Sequence, residues 1–170
     1  MSQATEGSAH GIDRLRGKTT LREILEVATG FEAAARDFYA ALAPKVSKRI
    51  RYLVEELALE EQAHYDLFGS LSRRDDIGEQ IRAEIERPAA DSKFSDCLQL
   101  PDLGEQPDDQ AVLQYALGRE QAAMEHYGEL AQSAPEGPIR DLFHYLASEE
   151  TRHKLELEKL YYETVHRGGV

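Results

Sequence analysis

Two segments of the chain carry a glutamate and a histidine at a spacing that suits a metal site. Residues 61–64 read EQAH and residues 150–153 read ETRH. Side chains three residues apart lie on the same side of a helix, so each segment presents a carboxylate and an imidazole together. Both groups are ligands that iron, manganese and zinc accept. The segments therefore predict metal binding, provided that these side chains face the protein interior.

Both motifs lie on the apolar stripe of their helix. Positions that step by four and three residues share one face of a helix and form its inward side. The two stripes are Leu53, Leu57, Glu61, His64, Phe68 and Leu71, and Leu142, Leu146, Glu150, His153, Leu157 and Leu160. The glutamates and histidines are therefore expected inside a helical bundle rather than at its surface.

The helices that carry the motifs belong to a duplicated unit. An offset of 88 residues superimposes Glu32 on Glu120 and Tyr39 on Tyr127, and an offset of 89 residues superimposes the two motifs. Glu32 and Glu120 lie 29 and 30 residues before the glutamates of the motifs. The sequence thus predicts two copies of one helical hairpin, with an inward glutamate on the first helix of each copy.

Four carboxylates in a dry interior require compensation, because an unpaired buried carboxylate is strongly unfavourable. Two divalent cations would neutralise the four negative charges, and two neutral imidazoles would complete the ligand set. The predicted metal ligands are Glu32, Glu61, His64, Glu120, Glu150 and His153.

Other residues of the same types are expected at the surface. A third motif, Glu163-x-x-His166, has Ser133 rather than a glutamate 30 residues upstream. Glu60 and Glu149 precede the ligand glutamates and should point about 100° away from the inward stripe. The histidines expected at the surface are His10, His126, His144 and His166.

Two repeated pairs and one lone residue have alternative interpretations. Tyr39 and Tyr127 lie two turns beyond the inward glutamates and could hydrogen-bond a ligand carboxylate or simply fill the core. Gly30 and Gly118 sit in helix interiors, where glycine costs about 1 kcal/mol, and their repetition favours close helix packing. Cys97 is expected to be structural or incidental.

The distribution of helix breakers predicts four helices and no strand. Thr20-x-x-Glu23 reads as a capping box, and Pro44 ends the first helix. The predicted helices cover residues 20–43, 47–73, 108 or 109 to 132, and 139–164, and the second could continue through residues 79–86. Short breaks follow the first and third helices, whereas residues 74–108 form a long crossover. Two antiparallel hairpins joined by one long crossover are typical of an all-α, ferritin-like four-helix bundle.

Composition limits the classes of partner and location. The chain has 170 residues, a net charge of −12 and one cysteine, which argues against nucleic-acid and anionic-membrane partners and against a disulfide. No signal peptide or long apolar run is found, so a cytoplasmic location is expected. We expect residues 1–18 to form a flexible N-terminal arm and residues 19–166 to form the bundle.

Over about residues 20–165 the sequence resembles the ferritin-like superfamily, and most of all its rubrerythrin branch, in the paired Glu … Glu-x-x-His pattern. The resemblance implies that the six predicted ligands bind two iron ions, with manganese or zinc as substitutes. Members of this superfamily are iron oxidases, peroxide reductases or iron-storage proteins. They are usually homodimers or larger homo-oligomers.

The chain departs from the rubrerythrin pattern at two points. A four-cysteine rubredoxin module is not expected, since Cys97 stands alone; electrons would come from a separate donor protein or from Fe²⁺ itself. Ala123 occupies the position where rubrerythrins carry a second glutamate, three residues after the one on the third helix. The remaining six-ligand set resembles that of bacterioferritin.

Three functions fit these observations. The first is an iron-dependent oxidoreductase that oxidises Fe²⁺ or reduces peroxide or O₂. The second is a metal-binding module without turnover, which serves iron storage, delivery or sensing. The third is a structural helical protein that binds partners through its N-terminal arm and its crossover.

Overall fold

The computed structural model describes residues 17–86, 88 and 102–167. Four long helices account for most of these residues: α1 (Leu21–Leu42), α2 (Lys48–Ser72), α3 (Asp109–Ser133) and α4 (Pro138–Arg167). The four helices predicted from the sequence are confirmed to within three residues at each end.

Half of the predicted capping box forms at the start of α1. The Thr20 hydroxyl oxygen accepts a hydrogen bond from the backbone N–H of Glu23 at 3.3 Å. The Glu23 carboxylate accepts instead from the Thr19 hydroxyl at 2.9 Å. Pro44 follows directly after the C-cap residue Ala43, as expected for a residue that cannot continue a helix.

The prediction that the chain has no strand is wrong. Strand β1 (Lys18–Thr20) pairs antiparallel with β2 (Glu84–Glu86), and Thr19 lies opposite Ile85. The possible extension of the second helix is also wrong, because two 3₁₀ turns, Asp75–Ile77 and Gln80–Arg82, follow α2.

The segment after α2 covers one end of the apolar core. Ile77 and Ile85 are buried there in the same apolar cluster as residues of the four helices. Continuing α2 as a straight helix would carry these apolar side chains away from the core, so burial favours the folded-back path.

Parts of two predicted segments lie outside the described residues. Of the predicted N-terminal arm, only Gly17 and Lys18 are described, and Lys18 begins β1. Much of the crossover, with Cys97, lies outside the described residues, and so does His10.

The core consists of two apolar clusters, one at each end of the bundle. α1 and α4 pass from the first cluster to the second, whereas α2 and α3 pass from the second to the first. Each hairpin is therefore antiparallel, while α2 and α3 run in the same direction. A crossover that returns along the bundle must connect α2 to α3, and this is the all-α, ferritin-like four-helix topology.

Among the described residues, no helix combines the length and the apolar character that crossing a bilayer requires.

Candidate metal centre

Buried polar side chains lie where the helices pass from one apolar cluster to the other. On α1, Glu32 falls between Phe31 of the first cluster and Ala35 of the second. On α4, Glu150 and His153 fall between Leu146 and Leu157 in the same way. None of the six predicted ligands is more than 3% exposed: Glu32, Glu61, His64, Glu120, Glu150 and His153.

The structure brings these six residues together in two overlapping groups. In each group, one ligand atom from each of four residues lies within 4.8 Å of the others. The first group is Glu32, Glu61, His64 and Glu150, and the second is Glu61, Glu120, Glu150 and His153. Glu61 and Glu150 belong to both groups. This is the arrangement expected for two neighbouring metal positions with two shared carboxylates.

Both imidazoles turn their Nδ1 atom towards carboxylates of the predicted ligand glutamates. His64 Nδ1 lies 3.3 Å from an oxygen of Glu61 and 3.3 Å from one of Glu150. His153 Nδ1 lies 3.2 Å from Glu150 and 3.5 Å from Glu120. The two rings are stacked, with centroids 5.7 Å apart. The Nδ1 atoms are therefore the candidate metal ligands of the histidines.

Several of these polar atoms are buried without a hydrogen bond among the described residues. They include Oε2 of Glu32 and Glu61, Oε1 of Glu150 and Nδ1 of His64. Each unsatisfied buried polar group costs about 1–3 kcal/mol, and more when it is charged. Metal ions at the two positions would satisfy these atoms together, so the donor set fits a pair of divalent cations.

The carboxylates cannot all be ionised without such a charge. Burial raises the pKa of Glu61 well above its usual range, and the charges of Glu150 and Glu32 raise it further. Burial and the neighbouring Glu120 raise the pKa of Glu150 to about 8. Burial also opposes ionisation of Glu120, but its contacts with Glu150 and His153 outweigh this effect and lower its pKa to about 2.

The histidines respond in the opposite sense to the same cluster. Burial lowers the pKa of His153, but the carboxylates of Glu120 and Glu150 outweigh it and raise that pKa to about 11. His64 also has a raised pKa, because Glu150, Glu32 and Glu61 outweigh its burial. In the metal-free protein, protonated imidazoles thus offset part of the carboxylate charge. Metal binding must displace these protons.

Each tyrosine of the repeat donates to a glutamate of the other hairpin. Tyr39 Oη donates to Glu120 Oε1 at 2.6 Å, and Tyr127 Oη donates to Glu32 Oε1. Burial raises the pKa of both phenols well above 10, so they stay protonated and can only donate to these carboxylates. Both rings also fill the apolar clusters, so the two alternatives left open by the sequence hold together.

The prediction that Glu60 and Glu149 are solvated holds in part, since 24% of each side chain is exposed. Glu60 Oε2 lies 2.5 Å from His153 Nε2, and its other oxygen accepts from Arg152 at 2.7 Å. Glu149 accepts from the same guanidinium at 3.0 Å. Glu60 thus finds its partners on the neighbouring helix α4, whereas Glu149 pairs with Arg152 along its own helix.

The surface prediction for the remaining histidines holds in part. His144 and His166 are exposed, and His166 belongs to neither metal group. His126 is only 1% exposed, so its assignment to the surface is wrong. It lies on a second buried stripe of α3 with Val112, Arg119 and Ala122.

Arg119 is a buried cation that was not predicted from the sequence. Its guanidinium lies 4.9 Å from the centre of the Phe31 ring and 5.6 Å from that of Phe38. Tyr115 accepts a hydrogen bond from its Nη1 at 3.3 Å. Along the second stripe of α3, successive spacings of seven, three and four residues separate Val112, Arg119, Ala122 and His126. This helical spacing is the sequence signal that could have revealed the burial of Arg119.

The interpretation of Gly30 and Gly118 as close-packing positions is wrong. Both glycines are exposed. A Cβ atom at either position would have no atom of the described chain within 4 Å. Although the two glycines occupy equivalent positions in the two hairpins, neither allows a close helix contact among the described residues.

The comparisons with known proteins give one match. A family model named Rubrerythrin matches residues 23–161, which span all four helices and both metal groups. The search of curated proteins finds no match, and the search of solved structures finds none either. Because the match covers most of the sequence, the chain belongs to the rubrerythrin family.

Proposed function

We propose that the chain is a di-iron carboxylate protein that oxidises Fe²⁺, reduces peroxide or O₂, or does both. The observation that carries this proposal is the sharing of Glu61 and Glu150 between the two four-residue groups. Two metal ions held side by side by common carboxylates can act on one small molecule together. Family membership favours iron over manganese and zinc.

Each ligand has a distinct place in this proposal. Glu32 and His64 would hold one ion and Glu120 and His153 the other, with Glu61 and Glu150 common to both. A bound ferrous pair would supply the two electrons that, with two protons, reduce one H₂O₂ to two waters. The four carboxylates would balance the charge of the two divalent ions.

The surrounding residues hold this arrangement in place. The apolar clusters on either side of the centre exclude water from its two ends. Tyr39 and Tyr127 fix one oxygen of Glu120 and of Glu32, which leaves the second oxygen free for a metal. In this proposal the electrons come from Fe²⁺ itself or from a separate donor protein, and the chain acts as a homodimer or a larger homo-oligomer.

Metal analysis followed by stopped-flow mixing tests the proposal. Protein purified from iron-fed cells should contain about two metal ions per chain. The Fe²⁺-loaded protein, mixed anaerobically with H₂O₂ or with O₂-saturated buffer, should show ferric absorbance that rises faster than for free Fe²⁺. The ratio of the two rates identifies the preferred oxidant.

A Glu61→Ala, Glu150→Ala double variant is the control, because it removes both shared carboxylates and should react no faster than free Fe²⁺. Wild-type protein that binds two ions but is inert to both oxidants would contradict the oxidoreductase proposal. That result would leave iron storage, delivery or sensing as its function. Wild-type protein that binds no metal would contradict the metal centre itself.

A further inference from the structure

One arginine joins acidic residues of both Glu-x-x-His helices at the surface. Nη2 of Arg152 lies 2.7 Å from Glu60 Oε1 and 3.0 Å from Glu149 Oε2. Its Nη1 lies 3.2 Å from Glu156 Oε1. The other oxygen of Glu60 lies 2.5 Å from His153 Nε2. A continuous line of contacts therefore runs from the exposed guanidinium through Glu60 to a buried histidine of the metal centre.

The Glu60–His153 contact joins two buried atoms that have no other polar partner among the described residues. Glu60 Oε2 and His153 Nε2 are both buried, and neither has a hydrogen-bond partner among the described residues. Their polar contact is the 2.5 Å approach to each other. His153 directs its Nδ1 towards Glu120 and Glu150. An imidazole that binds metal through one nitrogen carries its hydrogen on the other, and a carboxylate that accepts this hydrogen orients the ring and strengthens the ligand.

The second hairpin repeats the acidic residue but not the contact. Glu149 is the counterpart of Glu60 at the offset of 89 residues, whereas the counterpart of Arg152 is Ala63. Among the described residues, every ion pair of His64 runs through Nδ1. Its ring stands edge-on to that of Tyr145, with the centroids 6.5 Å apart.

We propose that Glu60 is a positioning residue that makes the half of the centre with His153 the tighter metal site. Arg152 holds Glu60 in place and offsets its charge, so the carboxylate can stay against His153 Nε2. His64 lacks an equivalent carboxylate among the described residues, so its half binds metal more weakly. This inference rests on the proposed metal centre and adds an order of filling to it.

Single-site variants test the inference with Co²⁺ as the probe. His64→Ala retains the half with His153, and His153→Ala retains the half with His64. Adding Glu60→Gln should raise the Kd for Co²⁺ by about 10–100-fold in the first background. In the second background the change should stay below about twofold. Glu156→Gln is the matched control, because Glu156 contacts Arg152 without contacting His153, and it should have little effect in either background.

A spectroscopic measurement on the full ligand set covers the case in which a single-site variant fails to fold. In the Zn²⁺-loaded protein, Glu60→Gln should shift the ¹⁵Nε2 resonance of His153 and leave that of His64 in place. Equal shifts of both resonances, or equal weakening of both halves, would overturn the positioning role. Wild-type protein that binds no Co²⁺ would instead overturn the metal centre, so the two failures are distinguishable.

Discussion

At the scale of single residues, the centre depends on hydrogen bonds that cross between the hairpins. Tyr127 of α3 holds Glu32 of α1, and Tyr39 of α1 holds Glu120 of α3. Each carboxylate thus has one oxygen fixed by a phenol and one oxygen directed towards a candidate metal position. The duplication therefore supplies both the candidate ligands and the groups that orient them.

Tyr127→Phe should weaken metal binding without disturbing the core. The ring still packs on Phe68 and Phe143, but Glu32 loses the donor that orients it. We expect the Kd for Co²⁺ at the weaker of the two binding steps to rise by about 10–100-fold, as measured by calorimetric titration. Tyr162→Phe, at an exposed position, is the control, and equal Kd values for the two variants would contradict this role of Tyr127.

Glu150→Ala should reduce the metal content from about two ions per chain to less than one, because Glu150 belongs to both groups. Glu163→Ala is the motif-matched control, since Glu163 also precedes a histidine by three residues but belongs to neither group. Elemental analysis of the purified variants makes the comparison. Two ions per chain in Glu150→Ala would exclude it as a shared ligand.

Helical phase places a side chain relative to its own helix, and this limits what the sequence can predict. The six predicted ligands could be identified because each falls on an apolar stripe. The role of Glu60 could not, because its direction is meaningful only once α4 brings Arg152 and His153 to that side. Contacts made across helices depend on packing distances that a one-dimensional pattern does not contain.

At the scale of elements, the length of a segment decides whether its pattern is visible. Each long helix offers several turns over which the apolar stripe repeats, so all four could be predicted. β1 and β2 have three residues each, and in β2 only Ile85 is buried. One buried position cannot establish an alternation, so the strands became visible only in the structure.

Substitution by alanine should stabilise the protein at one glycine, in a helix, and destabilise it at another, in a turn. Gly30→Ala should raise the free energy of unfolding by about 0.5–1 kcal/mol, because the exposed helix interior has space for a methyl group. Gly137→Ala should lower it, since Gly137 has φ +149 and its Cβ would meet the side chain of Gln80. Urea denaturation of metal-free protein measures both. A destabilised Gly30→Ala variant would restore the close-packing interpretation.

At the scale of the whole molecule, the buried charges make stability depend on pH and on metal. Glu61 and Glu150 have raised pKa values, so their protonation stabilises the metal-free fold, and this contribution is complete when the pH is below 4.5, the ordinary pKa of a glutamate. For Glu150 this contribution is lost as pH rises through about 8. His153 acts in the same direction: its contribution to stability is complete below pH 6.5 and is lost as pH rises through its raised pKa of about 11. The lowered pKa of Glu120 matters only under acidic conditions, where its contribution is lost as pH falls from 4.5 through about 2.

Metal-free and metal-loaded protein should therefore respond to pH with opposite signs. Between about pH 5 and pH 9, the melting temperature of metal-free protein should fall, because the folded state holds protons on Glu150 and His153 that the unfolded chain releases more readily. In the same interval the melting temperature of the Zn²⁺-loaded protein should rise, because protons compete with the metal for the same ligands at low pH. The stabilisation by metal, which is the difference between the two curves, should thus increase with pH.

Thermal scans at fixed Zn²⁺ concentration measure both curves. In Glu150→Ala the two curves should nearly coincide, because that variant lacks a ligand common to both positions. Parallel curves for metal-free and loaded wild type would show that metal binds without displacing these protons. Metal would then be held elsewhere, since ions at the buried centre must take the place of the protons that otherwise keep four carboxylates inside the bundle.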